Sequence, residues 1–188
     1  KASGCPNDCV ASIARADFTI IGTWKDSIRI DQAEVQNYVR NGFNVEKHVV
    51  SRCPTEALKL DPQTGELKVK SEDCVRCMHC INLMTRAIRP GIEKGATILI
   101  GGKAPIIKGA YLSWVLVPFM KLEPPYDDLK DLLRKIWDWW DENGRTRERV
   151  AELIERLGLK TFLREIGLKP VPQMVKYPRS NPYVFFDK

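Results

Sequence analysis

No stretch of this sequence approaches the roughly 18–20 uninterrupted apolar residues of a membrane span. The longest candidate, around Trp114–Met120, is short and contains Pro118. A membrane-spanning class is set aside on that ground, and a soluble chain is expected. A concentrated basic block is also missing: the net charge of +6 comes from 30 Lys and Arg scattered among 24 Asp and Glu. Nucleic acid is therefore not the expected partner, and a polyanionic cofactor or an acidic partner accounts for the excess as well. Apolar material is not lacking. At 44% hydrophobic over 188 residues, the chain can bury the core of one domain or two small ones, which excludes intrinsic disorder. An initiator methionine is absent. The sequence opens with Lys1 directly onto a cysteine motif and reads as a piece of a longer protein, so compartment has to be argued from chemistry and not from a targeting signal.

What is present is cysteine in a telling pattern. Cys74-Val75-Arg76-Cys77-Met78-His79-Cys80 has C-x₂-C-x₂-C spacing, and Cys53-Pro54 lies upstream. In bacterial-type ferredoxins such a triple run is closed by a remote Cys-Pro, so Cys53, Cys74, Cys77 and Cys80 are expected to hold one 4Fe–4S cluster. A second cluster in the same unit would need Cys-Pro at positions 84–85 and three more cysteines ahead of Cys53. The sequence has Met84-Thr85, and Phe43, Glu46 and Val49. Zinc is the competing ligand, but structural zinc sites usually pair two C-x₂₋₄-C knuckles, whereas here three thiolates share one tight loop. A disulfide framework belongs to small secreted domains, not to a chain with long helices and an ample core. Thiolates loaded with iron and sulfide favour a reducing compartment, and the cytoplasm is the expectation.

Taken in order, the chain begins with Cys5-Pro6-Asn7-Asp8-Cys9, a C-x₃-C motif in a turn-rich segment ahead of a short helix from Val10 to Ala14. Two readings stand: ordinary half-buried cysteines, or half the ligands of a further cluster, since four of the six cysteines are already claimed. Strands are predicted at Phe18–Gly22 and Ser27–Ile30, joined by a polar loop carrying Trp24. Asp31 caps a helix through Tyr38 that Asn41-Gly42 ends. After Cys53-Pro54 comes Thr55 to Leu60, then Asp61–Gly65 as a turn and Glu66–Val69 as a strand returning toward Cys74, an order that reads as Cys-Pro, helical turn, hairpin and triple cysteine. Val75, Met78, Ile81 and Leu83 are candidates to shield a cluster or simply to fill a core. His79 is unassigned between a surface or supporting role and a ligand.

Ala96–Ile100 is a predicted strand ending in Gly101-Gly102-Lys103, where paired glycines suit either a simple turn or a backbone brought close to an anion, with Lys103 for charge. Tyr111 to Leu122 is a strand or buried connector whose Pro118 argues against a central strand. A long amphipathic helix begins near Asp127, with Leu129, Leu132, Leu133, Ile136, Trp137 and Trp140 at helical spacing. Its Trp-Asp-Trp-Trp run reads as core or subunit contact. Further helices start at Thr146, burying Val150, Leu153, Ile154 and Leu157, and run to Ile166-Gly167. The tail from Lys169, with Pro170, Pro172, Pro178, Pro182, Tyr177, Tyr183, Phe185 and Phe186, is expected to lie extended on another surface, such as a partner subunit.

Together these pieces resemble one family, the alpha subunits of dissimilatory sulfite reductases. The resemblance rests on Gly4–Cys9, Ile20–Trp24, Cys53-Pro54, Cys74–Asn82, Gly101–Pro105, Glu123–Asp127, Ile136–Trp140 and Pro178–Tyr183. It implies an α+β fold: the second sulfite/nitrite reductase-type repeat, carrying an inserted ferredoxin-like 4Fe–4S domain and followed by a helical region with an extended tail. The implied division is 1–42 for the sirohaem and cluster part of the repeat, 43–95 for the insertion, 96–122 for the return of the repeat, and 123–188 for the helical region and tail. Cys5 and Cys9 match the last two of four ligands to a second 4Fe–4S cluster coupled to sirohaem, with Cys9 as the bridging sulfur. The other two ligands, like the Arg and Lys side chains that bind sulfite, would come from residues not in this sequence, so no catalytic residue is assigned. Gly101, Gly102 and Lys103 match a loop near the macrocycle's carboxylates. The implied activity is multi-electron reduction of sulfite toward sulfide, or the reverse in sulfur-oxidising relatives. In this family one of the two subunit types carries a haem centre that looks structural. The implied partners are a beta subunit in a hetero-oligomer, a small cysteine-bearing sulfur-carrier protein and an electron donor. The competing class is a non-enzymatic single-cluster electron-transfer subunit, which leaves Cys5 and Cys9 without a role.

Overall fold

The computed structural model describes residues 1–104 and 109–171. The expectations placed on Pro105 and on the aromatic tail from Pro172 lie outside the described residues. The strands are β1 (Ala2–Ser3), β2 (Phe18–Trp24), β3 (Arg29–Ile30), β4 (Leu58–Leu60), β5 (Leu67–Val69), β6 (Ile88–Arg89), β7 (Lys94–Ile100) and β8 (Trp114–Met120). The helices are α1 (Ala11–Ala14), α2 (Gln32–Arg40), α3 (His79–Leu83), α4 (Asp127–Asn143), α5 (Val150–Leu157) and α6 (Leu159–Glu165). The architecture is α+β and divides into two compact units. No helix among the described residues is long and apolar enough to cross a membrane.

One unit comprises Lys1–Ser3, Cys9–Ile21 and the chain from Ala96 onward. Its sheet runs β1-β2-β7-β8, with β1 parallel to β2 and β8 antiparallel to β7. Pro118 is tolerated because β8 is an edge strand, where a missing N–H breaks no inner ladder; its carbonyl accepts the Thr97 hydroxyl at 2.9 Å. Ala96, Ile98 and Ile100 alternate inward along β7 and meet Leu132, Ile136 and Trp139 of α4, Leu153 and Ile154 of α5, and Phe162 and Leu163 of α6. The α4 stripe that reaches the core is thus 132, 136 and 139, narrower than its apolar arc. Trp139 packs against Phe162 with the rings tilted by 58° and 4.8 Å between centres, while Leu133 is exposed and Trp137 is 65% exposed. The helix expected from Thr146 starts later, because Arg147 holds a positive φ of 64° and Arg149 is the N-cap of α5.

The other unit comprises Gly4–Asp8 and Gly22–Gly95. Asp31 caps α2 as expected, its carboxylate accepting from Ala33 and Glu34 N–H at 3.0 and 3.2 Å. The amide of Gln32 donates to the Leu67 carbonyl at 2.8 Å and accepts the Leu67 N–H at 3.0 Å, fastening α2 to β5. Two departures from expectation occur here. Trp24 closes β2 as a buried residue and is not in a loop. The expected hairpin is present, but its first arm, Leu58–Leu60, leaves no helical turn between Cys53-Pro54 and the strand, since Leu58 and Leu60 pair with Val69 and Leu67. Their alternation is of period two, which suits a half-buried strand. The core gathers Val35, Val45, Val49, Leu67, Met84 and Ile88.

Candidate functional site

The hairpin β4–β5, the turn after Cys53 and the loop before α3 enclose one cavity within the second unit. It is lined by Cys53, Cys74, Cys77 and Cys80 together with Trp24, Ile28, Pro54, Leu58, Val75, Met78 and Ile81, among others. Cys53 follows a single π-helical turn, Glu46–Val50, and its N–H donates to the Val50 carbonyl at 3.0 Å. The triple-cysteine loop is wound by two left-handed residues, Arg76 at φ 57° and Met78 at φ 68°. Side chains rarely take that conformation except where the surroundings impose it. Such a curl lets three closely spaced thiols line one space.

The lining is apolar apart from the thiols, Thr55 and Arg76. Burial pushes the Cys80 thiol up to about 11, with repulsion from Cys77, Cys74 and Cys53 adding to the rise. Thiolates crowded in an apolar space are unfavourable by themselves, and bound metal cations invert that preference. Three thiols on one tight loop with a fourth from a remote Cys-Pro suit a polynuclear cluster, each binding its own iron, better than the paired knuckles of a structural zinc site.

Arg76 adds an independent mark. Its Nη2 donates to the Lys25 carbonyl at 2.7 Å. Its Nε is buried with no hydrogen-bond partner, the one such side-chain nitrogen or oxygen among the described residues. His79 is directed elsewhere: its Nε2 lies 3.2 Å from the His48 carbonyl, to which it donates as the protonated nitrogen. Val75, Met78 and Ile81 line the cavity as expected, but Leu83 does not; two residues beyond Ile81 on α3, it is 38% exposed.

Cys5 and Cys9 are both half-buried, and none of the six cysteines is in a disulfide. Cys5 falls in the second unit, where Gly4 and Gly22 cross so closely that a Cβ on Gly22 would lie 2.3 Å from the Gly4 carbonyl oxygen. Cys9 falls in the first unit, where its carbonyl accepts the Ser12 N–H at 3.0 Å at the start of α1. The buried hydroxyls of Ser3, Ser12 and Thr19 tie α1 to the sheet: Ser3 and Ser12 Oγ are 2.5 Å apart, and Thr19 donates to the Ser12 carbonyl at 2.6 Å.

In the same unit, Gly101 and Gly102 serve a close backbone crossing. Their N–H groups donate to the Asp17 and Ala16 carbonyls at 2.7 and 3.0 Å. A Cβ on Gly102 would lie 2.7 Å from the Ala16 oxygen and 2.9 Å from the Ile13 oxygen. Lys103 is 5% exposed, and its ammonium donates to Glu152 at 2.7 Å. The glycine amides and the lysine charge are thus engaged within the protein, which neither residue type could reveal in sequence. Arg149 completes the crossing. It reaches from α5 to both Asp17 carboxylate oxygens at 3.0 and 2.7 Å, to the Arg15 carbonyl at 2.7 Å and to the Gly102 carbonyl at 3.2 Å.

Comparison with known proteins agrees with this arrangement. The family described as nitrite and sulphite reductase 4Fe-4S domain matches residues 1–173. The alpha subunit of a dissimilatory-type sulfite reductase from Megalodesulfovibrio gigas is 42% identical over 178 residues, covering 87% of this chain and 89% of that relative. The chain belongs to the dissimilatory sulfite reductase alpha-subunit family. The corresponding subunit of Nitratidesulfovibrio vulgaris is 48% identical over 201 residues, covering 99% of this chain and 46% of the relative. A crystal structure of dissimilatory sulfite reductase I superposes with a TM-score of 0.88 at 45% identity, covering 99% of this chain and 46% of that one. The chain therefore spans about half the length of these last two relatives.

The matched family is described by a 4Fe-4S domain, so an iron–sulfur cluster is the group against which the four-thiol cavity is to be tested. The residues fit it: four thiols, an apolar wall and one buried N–H with no protein acceptor. The resemblance found in the cysteine motifs and in the Trp-Asp-Trp-Trp helix is borne out by these comparisons, as is the sulfite/nitrite reductase-type fold. Trp24 and Arg76 were missed as lining residues. Trp24 is separated from the cysteines along the chain, and Arg76 sits in a variable position of the motif, so neither gave a spacing signal.

Proposed function

We propose that this chain is part of a dissimilatory sulfite reductase, carrying out multi-electron reduction of sulfite toward sulfide, or the reverse, within a hetero-oligomer with a beta-type subunit. The observation that carries the proposal is the four-thiol apolar cavity in a chain of this family. Cys53, Cys74, Cys77 and Cys80 hold a 4Fe–4S cluster within the ferredoxin-like segment 43–95. Trp24, Met78 and Ile81 keep water from it, which limits oxygen attack and tunes its potential. Cys5 and Cys9 would supply two ligands of a second cluster that works with sirohaem, Cys9 being the thiolate whose soft sulfur would tie the cluster to the haem chemistry. When bound, these groups supply a local reservoir of electrons and a soft iron centre for sulfur chemistry.

The chain's own part is position. Arg149, Gly101 and Gly102 fix α1, and with it the backbone following Cys9. With its amides and Lys103 already engaged, the Gly101–Lys103 loop contributes to a macrocycle site through its slim backbone and not through free charge. The segments 1–42 and 96–122 form the reductase repeat, and 123–188 the helical and interaction region. Sulfite, a small sulfur-carrier protein and an electron donor are the remaining partners, in the cytoplasm.

An absorption spectrum of the purified complex tests this reading, because sirohaem gives red-region bands that a lone cluster or zinc cannot. Cys77→Ser should remove one cluster's iron and acid-labile sulfide while sparing the haem. Cys9→Ser should weaken the coupled centre in electron paramagnetic resonance and leave the ferredoxin-type signal intact. Absence of red bands, together with an undisturbed Cys9→Ser spectrum, would refute the enzymatic reading.

A further inference from the structure

Arg76 lines the four-thiol cavity, and its Nε is buried without an acceptor. Buried donors are satisfied in the great majority of native structures, and one left unmade is costly, the more so on a charged group. The remainder of the guanidinium is not adrift: Nη2 is held on the Lys25 carbonyl at 2.7 Å, and Lys25 N–H is itself held on the Glu93 carbonyl at 2.9 Å. The backbone at Arg76 takes φ 57°, a conformation that a bulky side chain adopts only under constraint. Position, anchor and strain therefore all place this one side chain at the cavity wall. No other residue lining the cavity carries a permanent charge.

Resting on the cluster reading above, we propose that Arg76 sets the reduction potential of the cluster held by Cys53, Cys74, Cys77 and Cys80, its Nε–H donating to a cluster or thiolate sulfur. A guanidinium is always protonated in proteins, and the reduced cluster carries one more negative charge than the oxidised one. A fixed cation therefore stabilises the reduced form more. Hydrogen bonds to the sulfurs act in the same direction, and both are recognised levers on cluster potentials. Because the donor is buried, salt screens this interaction far less than one between surface charges. Arg76 thereby makes the cluster a better acceptor from an outside donor.

The test is a redox titration of the assembled enzyme followed by electron paramagnetic resonance of the ferredoxin-type cluster. Arg76→Met should lower its midpoint by at least 59 mV, a tenfold change in the reduced-to-oxidised ratio for one electron. Arg76→Lys, which keeps the charge but not the planar Nε–H, should fall by less. The shift should persist at high salt. A fully loaded Arg76→Met cluster with an unchanged midpoint overturns the proposal. A second measurement needs no variant: native enzyme labelled with ¹⁵N-arginine should show a nitrogen coupling to the reduced cluster in pulsed resonance, and its absence would overturn the proposal even if Arg76→Met failed to load. If the native enzyme holds no reducible cluster that Cys77→Ser removes, the underlying site reading fails, which is distinguishable from a cluster that is present but indifferent to Arg76.

Discussion

Replacing Arg149 by Ala should loosen the grip on the Cys9 helix, and its size can be worked from the contacts. The side chain makes two hydrogen bonds to the Asp17 carboxylate and one each to the Arg15 and Gly102 carbonyls. Arg149 and Asp17 side chains are 32% and 42% exposed, so the ion pair contributes no more than about 1 kcal/mol after solvent screening. Each charged bond to a carbonyl adds about 1 kcal/mol or somewhat more. Asp17 freed of its partner can still reach water, which spares the heavy penalty of an orphaned buried charge. The sum is about 2–3 kcal/mol. For a chain of this size that is a fall in Tm of about 4–12 °C. Urea denaturation of the single mutants and of the Arg149→Ala, Asp17→Asn pair would give the coupling energy, expected at about 1 kcal/mol. A stability change within about 0.5 kcal/mol, the range of an inconsequential surface substitution, with no coupling to Asp17, would refute the idea that Arg149 holds α1.

Three further outcomes are expected. Trp139→Ala should cost about 3–5 kcal/mol, because the ring is buried against Phe162; Trp137→Ala, at an exposed position, should stay within about 0.5 kcal/mol, and a reversed order in chemical denaturation would show the stripe on α4 to be misassigned. Glu148 is held down to about 2 from its ordinary 4.5, chiefly by the Arg156 guanidinium, with the Arg145 N–H assisting. A depressed carboxylate stabilises above its unfolded value, so about 1–2 kcal/mol should be lost as pH falls from about 4.5 toward 2; Glu148→Gln should flatten that loss, and an unchanged acid profile would count against it. Gly22→Ala drives a Cβ into the Gly4 backbone, costing about 1–3 kcal/mol and shifting Cys5. Iron analysis and resonance should then show the coupled centre damaged and the ferredoxin-type cluster retained; an intact coupled centre would sink this prediction.

The cysteine framework was legible because ligand spacing is a local property of sequence, and so were the Asp31 cap and the strand at β2. Trp24 was placed in a loop because the polar residues after it look like a turn, whereas its position is decided by burial against residues far along the chain. Leu58–Leu60 is too short for its period-two pattern to outweigh the preceding turn formers; only the pairing with Leu67–Val69 settles it. The choice of Trp139 over Trp137 depends on which way α4 lies against the sheet. Helical spacing gives an arc, and packing selects the stripe within it. Lys103 could be read as a free cation because its partner, Glu152, lies far along the chain in α5, and ion pairs between distant segments leave no pattern in sequence.

The strands β2 and β7 are neighbours in one sheet, yet the whole stretch between Trp24 and Lys94 separates them in the chain. Pairing them from an unfolded chain means closing a long loop, and that cost grows only logarithmically with length, by about 0.6 kcal/mol per doubling. The rate suffers more than the stability, since distant contacts form late. If the intervening unit folds first on its own hairpin and core, it brings its two ends within about one strand spacing, near 4.8 Å. The slow closure then becomes a local one. On this account the four-cysteine unit also acts as a folding guide for the sheet that it interrupts, and weakening its core at Val35 or Met84 would slow the assembly of strands that neither residue belongs to.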